Sequence, residues 1–137
     1  MTSVSPIAAS LYVFVGGGAG AILRYQAGRL LTHLLGPQAV TAFPWATLAV
    51  NVIGGCAMGL LAGWLARHGG GSAGEQWRLL AGVGLLGGFT TFSAFSLELM
   101  LLIERGQPWL AATYALVSVL AGLTALYIGL IAMRIAA

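Results

Sequence analysis

Four hydroxyl side chains and two glycines lie inside a segment that is otherwise apolar enough to cross a membrane. Residues 79–97 carry no charge, and at about 1.5 Å per residue they can span a hydrocarbon core of about 30 Å. The centre of this segment reads Gly87-Gly88-Phe89-Thr90-Thr91-Phe92-Ser93-Ala94-Phe95-Ser96. Irregular backbone at that depth is stable only when it is buried in protein or lines a cavity. We therefore expect a helix broken at mid-span, whose freed carbonyls attract cations and whose freed N–H groups attract anions.

Two phenylalanines flank the hydroxyl groups of this segment. Phe92 and Phe95 have a spacing of three, which is typical of core residues on one face of a helix. Their ring edges carry partial positive charge, so a dry passage lined by ring edges could hold a small anion. Next to a broken helix, the two rings together with Thr91 and Ser93 predict an anion path.

The preceding apolar run carries a stripe of small and polar residues, since Thr47, Asn51, Gly55, Gly59 and Gly63 recur at intervals of four. Residues four apart share one face of a helix. The glycines are typical of a close-packing seam between membrane helices. For the amide of Asn51 two interpretations stay open: a hydrogen bond between helices, or N–H donors for an anion in transit.

Polar groups on the other runs are fewer. Tyr114, Ser118 and Gly122 share a face of the last run, which indicates either a polar track or ordinary helix contacts. Arg24 follows the first apolar run, where a guanidinium either snorkels to the interface or concentrates anions at a pore mouth. Glu98 is the one acid inside the apolar pattern, and either proton coupling or a hydrogen bond to a neighbouring group would account for it.

Composition excludes several classes of function. The 137 residues are 59% hydrophobic and 7% charged, with a mean hydropathy of +0.95, whereas soluble domains carry about 25% charged residues. The chain is therefore an integral membrane protein, and it offers no basic face for a nucleic acid. Its single cysteine, Cys56, permits no disulfide framework. No nucleophile, base and orienting group can be assembled, so we predict that the protein is not an enzyme.

The apolar runs predict one all-α domain over residues 1–137. Four spans are expected, at about residues 7–23, 44–66, 76–103 and 109–133. His33 and His68 then fall in loops, and residues 68–74 form a flexible glycine-rich linker. Four helices leave little room for a conduit of their own, which favours an oligomer.

The arginines predict how the chain inserts. Each side of the membrane receives three of the six: Arg67, Arg78 and Arg134 on the side of both termini, and Arg24, Arg29 and Arg105 on the other. The Lys/Arg bias that fixes orientation is therefore absent. A chain without a preference inserts both ways, which predicts a dual-topology antiparallel homodimer packed through the glycine stripe and the two breaks.

Three motifs together resemble one known family over essentially the whole chain. The run from Gly87 to Ser96, followed by Glu98, closely resembles the signature of the Fluc (CrcB) fluoride channels. Residues 47–51 resemble that family's second-helix motif, and residues 16–20 with Arg24 and Tyr25 resemble its first. The third-helix motif is highly specific, whereas the other two would be weak alone.

This resemblance implies a fluoride-selective channel in the cell (inner) membrane, which exports fluoride passively and so reduces cytoplasmic toxicity. It implies two fluoride pathways in an antiparallel homodimer, each lined by Asn51, Phe92 and Phe95 and continued by Tyr114 and Ser118. It also implies a central structural sodium ion (Na+) held by backbone carbonyls at Gly87 and Thr90. Two residues depart from the family pattern: Ala94 stands where threonine is usual, and Gly122 where a serine can extend the track.

Two other classes of protein compete with this interpretation. A proton-coupled multidrug exporter can also be a small dual-topology dimer, but it needs a central carboxylate, and Glu98 lies off-centre in its span. A purely structural membrane subunit would not need a hydroxyl-rich break.

Overall fold

The computed structural model describes residues 4–136, and this part of the chain is helical, with short connections and no β-strand. Helices are numbered in chain order, and a π-helical segment at Arg78–Leu86 lies between two of them. The helices are α1 (Pro6–Leu35), α2 (Pro37–Ala42), α3 (Trp45–His68), α4 (Gly71–Trp77), α5 (Gly87–Phe89), α6 (Ser93–Glu104) and α7 (Pro108–Ile135).

Four helical stretches of the described residues are long and apolar enough to cross a membrane. They are Pro6–Leu35, Trp45–His68, Gly71–Glu104 and Pro108–Ile135. The predicted all-α, multi-pass membrane architecture with four spans is confirmed.

The ends of the spans differ from those predicted. α1 continues to Leu35, well past Arg24, so His33 lies in a helix; His68 is the last residue of α3. The prediction that both histidines lie in loops is wrong, because apolar length marks only the part of a helix inside lipid. The predicted flexible linker is also partly wrong. Gly71 turns the chain with a φ of 76° and begins α4.

Glycines hold α3 and α7 in backbone contact. A Cβ at Gly59 would overlap the Leu126 carbonyl oxygen, and a Cβ at Gly129 would overlap that of Cys56. Such close approach is available only to residues without a side chain. The glycine stripe of α3 is therefore a packing seam, as predicted. This seam lies within one chain, however, so the stripe does not supply the contact predicted between two chains.

A second glycine seam joins α1 to the segment that leads to the motif. Cβ atoms at Gly16 and Gly20 would overlap the carbonyl oxygens of Leu80 and Leu85. On the other side of the contact, a Cβ at Gly88 would overlap the Gly17 carbonyl oxygen. α1 thus fixes the position of the π-helical segment and of α5.

Two arginines, one at each end of the bundle, hydrogen-bond to a backbone carbonyl of a neighbouring element. Arg67, near the end of α3, donates a hydrogen bond to the carbonyl oxygen of Arg134 near the end of α7. Arg105, after α6, donates to the Thr41 carbonyl oxygen in α2 at 2.8 Å. The connections after the first and third spans therefore lie together, as four antiparallel spans require.

Candidate functional site

The helix of the third span is interrupted at the hydroxyl-rich motif. α5 ends at Phe89, α6 begins at Ser93, and Thr90 is extended with φ −79° and ψ 161°. The N–H and the hydroxyl of Thr90 both donate to the Leu86 carbonyl oxygen, at 2.9 Å and 2.8 Å. Residues 90–92, called the interruption below, therefore form an irregular stretch between two helices.

Asn51 of α3 bridges to the interruption through both ends of its amide. Its Nδ2 donates to the Thr91 carbonyl oxygen at 3.1 Å, and its Oδ1 accepts the Thr91 N–H at 2.9 Å. In a continuous α-helix that N–H would bond to the carbonyl of Gly87, four residues back. The Asn51 side chain therefore binds the N–H that would otherwise bond to the Gly87 carbonyl. Of the two interpretations of Asn51 from the sequence, a hydrogen bond between helices describes this geometry.

The Thr91 hydroxyl does the same for the carbonyl of Thr90. Thr91 Oγ1 accepts the Ala94 N–H at 3.2 Å, which a continuous α-helix would direct to the Thr90 carbonyl. Arg24 Nη1 lies 3.4 Å from that Thr90 oxygen, which is long for a hydrogen bond. The resemblance assigns the carbonyls of Gly87 and Thr90 to a cation. In a continuous helix these two carbonyls would accept the N–H groups of Thr91 and Ala94, which here bond to side chains instead.

Most of the predicted site residues line one open groove of about 490 Å³. Its floor is formed by the interruption, and its walls come from α3, α6 and α7. The predicted residues in its lining are Asn51, Gly87, Thr90, Thr91, Phe92, Phe95 and Ser118.

The two phenylalanines differ in how they contribute to the groove. Phe92 is 79% exposed, and its ring centroid lies 5.9 Å from that of Phe95. Phe95 is partly buried and packs at 5.1 Å against the Tyr114 ring. Phe92 is therefore free to present its ring to a ligand or to a second chain, whereas Phe95 is tied to the core.

Ser118 brings a buried hydroxyl to the wall of the groove. Its residue is 8% exposed, and its Oγ has no hydrogen-bond partner among the described residues. Buried polar groups are nearly always paired, with protein or with water. This hydroxyl therefore has spare hydrogen-bonding capacity at the wall of the groove.

Tyr114 does not line the groove. Its side chain is fully buried, and its hydroxyl donates to Glu98 Oε2 at 2.8 Å. Thr47 donates to the other carboxylate oxygen, Oε1, at 2.7 Å. Glu98 therefore satisfies both oxygens with neighbouring hydroxyls, one of its two predicted roles. Sequence reasoning missed Thr47 as its partner, because 51 residues separate the two.

A larger pocket of about 780 Å³ meets the groove at Thr91, which lines both. Arg24, Arg29 and His33 line this pocket together with three threonines, and its lining contains no acidic residue. Arg24 lies within α1, which continues past it to Leu35. Sequence reasoning missed Arg29 and His33, which are four residues apart and share a face of α1 with each other but not with Arg24.

Ser93 lies at the edge of the interruption and not in the lining of the groove. Its Oγ is 3.3 Å from Thr91 Oγ1. The Ser93 side chain thus lies within hydrogen-bond distance of the Thr91 hydroxyl, which accepts the Ala94 N–H in the first turn of α6.

Comparison with known proteins gives the family. Residues 11–130 match the family described as CrcB-like protein, Camphor Resistance (CrcB). A protein of Novosphingobium aromaticivorans named fluoride-specific ion channel FluC is 60% identical over 92% of this chain and 96% of its own length. Proteins of the same name from Erythrobacter litoralis and Caulobacter vibrioides are 52% and 46% identical, over 98% and 90% of this chain and 98% and 94% of their own lengths. This chain belongs to the CrcB family.

Proposed function

We propose that this protein is a fluoride-specific ion channel that lets fluoride leave the cell passively across the cell (inner) membrane and so reduces its toxicity. The observation that carries the proposal is the groove in which an exposed phenylalanine ring, an asparagine amide and a buried, unpaired hydroxyl come together. Relatives that share about half or more of their residues with this chain bear the name fluoride-specific ion channel.

The chemistry of the groove suits a small, strongly hydrated anion. A selective pore must replace the water around such an ion with donors that a larger halide cannot approach as closely. Ser118 offers an O–H, the edges of Phe92 and Phe95 offer partial positive charge, and Asn51 keeps one N–H beyond its bond to Thr91. No acidic residue lines the groove, so nothing in its lining repels an anion.

A second chain in the opposite orientation would complete the pathway. The groove is open, and Phe92 at its edge is 79% exposed. A large apolar ring in that position fits an interface between chains or a ring edge facing an ion. We therefore propose an antiparallel homodimer with two pathways, in which the interruptions lie near mid-membrane and face each other.

The interruption also fits a structural sodium ion. Sodium is held in membrane proteins by backbone carbonyls of unwound helices, and the Gly87 and Thr90 carbonyls are those whose helical donors are taken by Asn51 and Thr91. Among residues 4–136 no group of His, Cys, Asp and Glu could hold a metal, so backbone oxygens would hold the ion. When bound, sodium would supply a fixed positive charge between the two chains.

Ion flux from liposomes tests the proposed function. Purified protein reconstituted in liposomes should release fluoride and retain chloride, with no requirement for a proton gradient. Proton-coupled efflux of a cationic drug instead of fluoride flux would support the alternative, a multidrug exporter. The geometry speaks against that alternative, because Glu98 is held by Thr47 and Tyr114 and lines a small pocket of about 180 Å³.

Insertion of the chain in both orientations is a separate prediction. Arg24 lies beside the interruption and not at a membrane face, which leaves three arginines on one side and two on the other. Such a small difference gives a weak orientation signal. A cysteine added at the C-terminus of a Cys56→Ser variant should therefore be labelled from both sides of the membrane in similar amounts.

Added charge should remove this balance. Two lysines at the C-terminus are expected to bias insertion and lower fluoride flux, whereas two glutamines there should leave both unchanged. Co-expression of a copy with two lysines beside Gly106 should restore the flux. One-sided labelling of the variant without added charge would contradict dual topology.

A further inference from the structure

We infer that Asn51 is a positioning residue for the cation site: it holds the third span open so that the Gly87 carbonyl is released to face an ion. This inference rests on the proposed sodium site, and it gives Asn51 a second task besides lining the anion path. It follows from the two hydrogen bonds that the Asn51 amide makes to one residue, Thr91.

The Asn51 amide pairs with both the N–H and the carbonyl of Thr91. An amide side chain presents an acceptor oxygen and a donor N–H side by side. Asn51 matches both backbone groups of Thr91, at 2.9 Å and 3.1 Å. Asn51 therefore replaces the bond that the Thr91 N–H would make to the Gly87 carbonyl in a helix. It also donates a hydrogen bond to the Thr91 carbonyl.

Gly54, one turn after Asn51 on α3, also packs against the interruption. A Cβ at Gly54 would overlap Thr90 Cγ2 and lie 3.3 Å from Phe89 Cδ1. Gly54 and Asn51 are three residues apart and share a face of α3. The two residues thus hold consecutive parts of the broken span, the first by close packing and the second by hydrogen bonding.

Loss of the amide would leave the Thr91 N–H without this partner. A buried N–H rarely stays unpaired, and the Gly87 carbonyl is the acceptor at helical spacing. If that bond forms, α5 lengthens and the Gly87 oxygen points along the helix. The site then loses one of its oxygens, and sodium affinity falls.

The test measures sodium affinity and fluoride flux on the same set of variants. Sodium affinity is read from the sodium concentration that gives half of the maximal rise in thermal stability of the purified protein in sodium-free buffer. Fluoride flux is read in liposomes. Residues that hold a metal site's ligands in place typically change affinity by about 10- to 100-fold. Asn51→Leu, which removes both bonds, should therefore raise the sodium midpoint by about tenfold or more and also lower flux.

Two further variants separate positioning from anion binding. Asn51→Asp keeps the acceptor for the Thr91 N–H but places a negative charge beside the anion path. This variant should lose fluoride flux. Its sodium midpoint should rise by no more than about threefold over that of the parent protein, which is less than the change of about 10- to 100-fold expected when a residue that positions the ligands is lost. Ser118→Ala is the matched control, because Ser118 lines the same groove and its Oγ makes no hydrogen bond to the interruption. It should lower flux and leave the midpoint unchanged.

The other outcomes distinguish a failure of the inference from a failure of the proposed function. An unchanged sodium midpoint in Asn51→Leu would show that α3 does not position the carbonyls. If Asn51→Leu does not fold, Asn51→Ser takes its place, since the shorter hydroxyl cannot match both groups of Thr91. A parent protein with fluoride flux but no sodium-dependent stabilisation would overturn the sodium site and this inference together, and the proposed channel function would stand. A parent protein that binds sodium but passes no fluoride would overturn only that function.

Discussion

Replacement of Phe92 by isoleucine is expected to reduce fluoride efflux by about 2- to 10-fold. Favourable ring-edge geometry contributes about 0.5–1.5 kcal/mol between aromatic rings, and about 1.4 kcal/mol corresponds to a tenfold change in rate. The ring is 79% exposed at the edge of the groove, so its loss creates no cavity within the chain. Isoleucine fills much of the same volume and has no positively polarised edge. The measurement is fluoride release from liposomes, with thermal stability recorded on the same samples.

Another exposed phenylalanine provides the control. Phe14 on α1 is 77% exposed and lies outside the groove, so Phe14→Ile should leave both flux and stability near those of the parent protein. Phe95→Ile should lower flux and also stability, because it removes the ring that packs against Tyr114. Unchanged flux in Phe92→Ile and Phe95→Ile would contradict the assignment of the two rings to the anion path.

Replacement of Gly59 by valine is expected to destabilise the folded protein strongly. A Cβ at this position overlaps the backbone oxygen of Leu126 and lies 2.9 Å from the Leu130 nitrogen, so no side-chain rotation can relieve the clash. Overpacking costs about 1–3 kcal/mol where side chains can yield, and here two helix backbones must separate. The expected loss is therefore about 3 kcal/mol or more. It is measured as the yield of a single species after extraction and as its thermal midpoint.

Gly122 on the facing helix is the matched control for this prediction. No atom lies within 4 Å of a Cβ built at Gly122, and alanine is favoured over glycine within helices by about 1 kcal/mol. Gly122→Ala should therefore keep or raise the thermal midpoint. A folded, stable Gly59→Val protein would show that α3 and α7 are not in backbone contact.

Much of the architecture was predictable because it depends on local properties. Apolar length determines how many helices cross the membrane, and the hydroxyl-rich motif between Gly87 and Ser96 stands out in any apolar run. The start of α7 at Pro108 follows from a residue that fits the first helical turn. The end of α1 was not predictable in this way, because residues 24–35 are polar enough to look like a loop and yet continue the helix.

The candidate site was predictable as a set of residues and not as a set of contacts. The motif alone drew attention to Phe92, Phe95 and Thr91, and all three line one groove. The family resemblance assigned Tyr114 to the same path, on the helical face that it shares with Ser118. The structure turns its hydroxyl to Glu98, since a carboxylate inside the bundle requires donors and the nearest are hydroxyls of other helices.

The sequence by itself determined that this is a four-span membrane protein with an irregular, hydroxyl-rich stretch in its third span. Only the tertiary structure decided that the glycine stripe of α3 packs within the chain and that Asn51 bonds to both backbone groups of Thr91. The physical reason is one of range. Hydropathy and helical spacing act within a few turns of one helix, whereas an amide finds its partner 40 residues away only after the helices have packed.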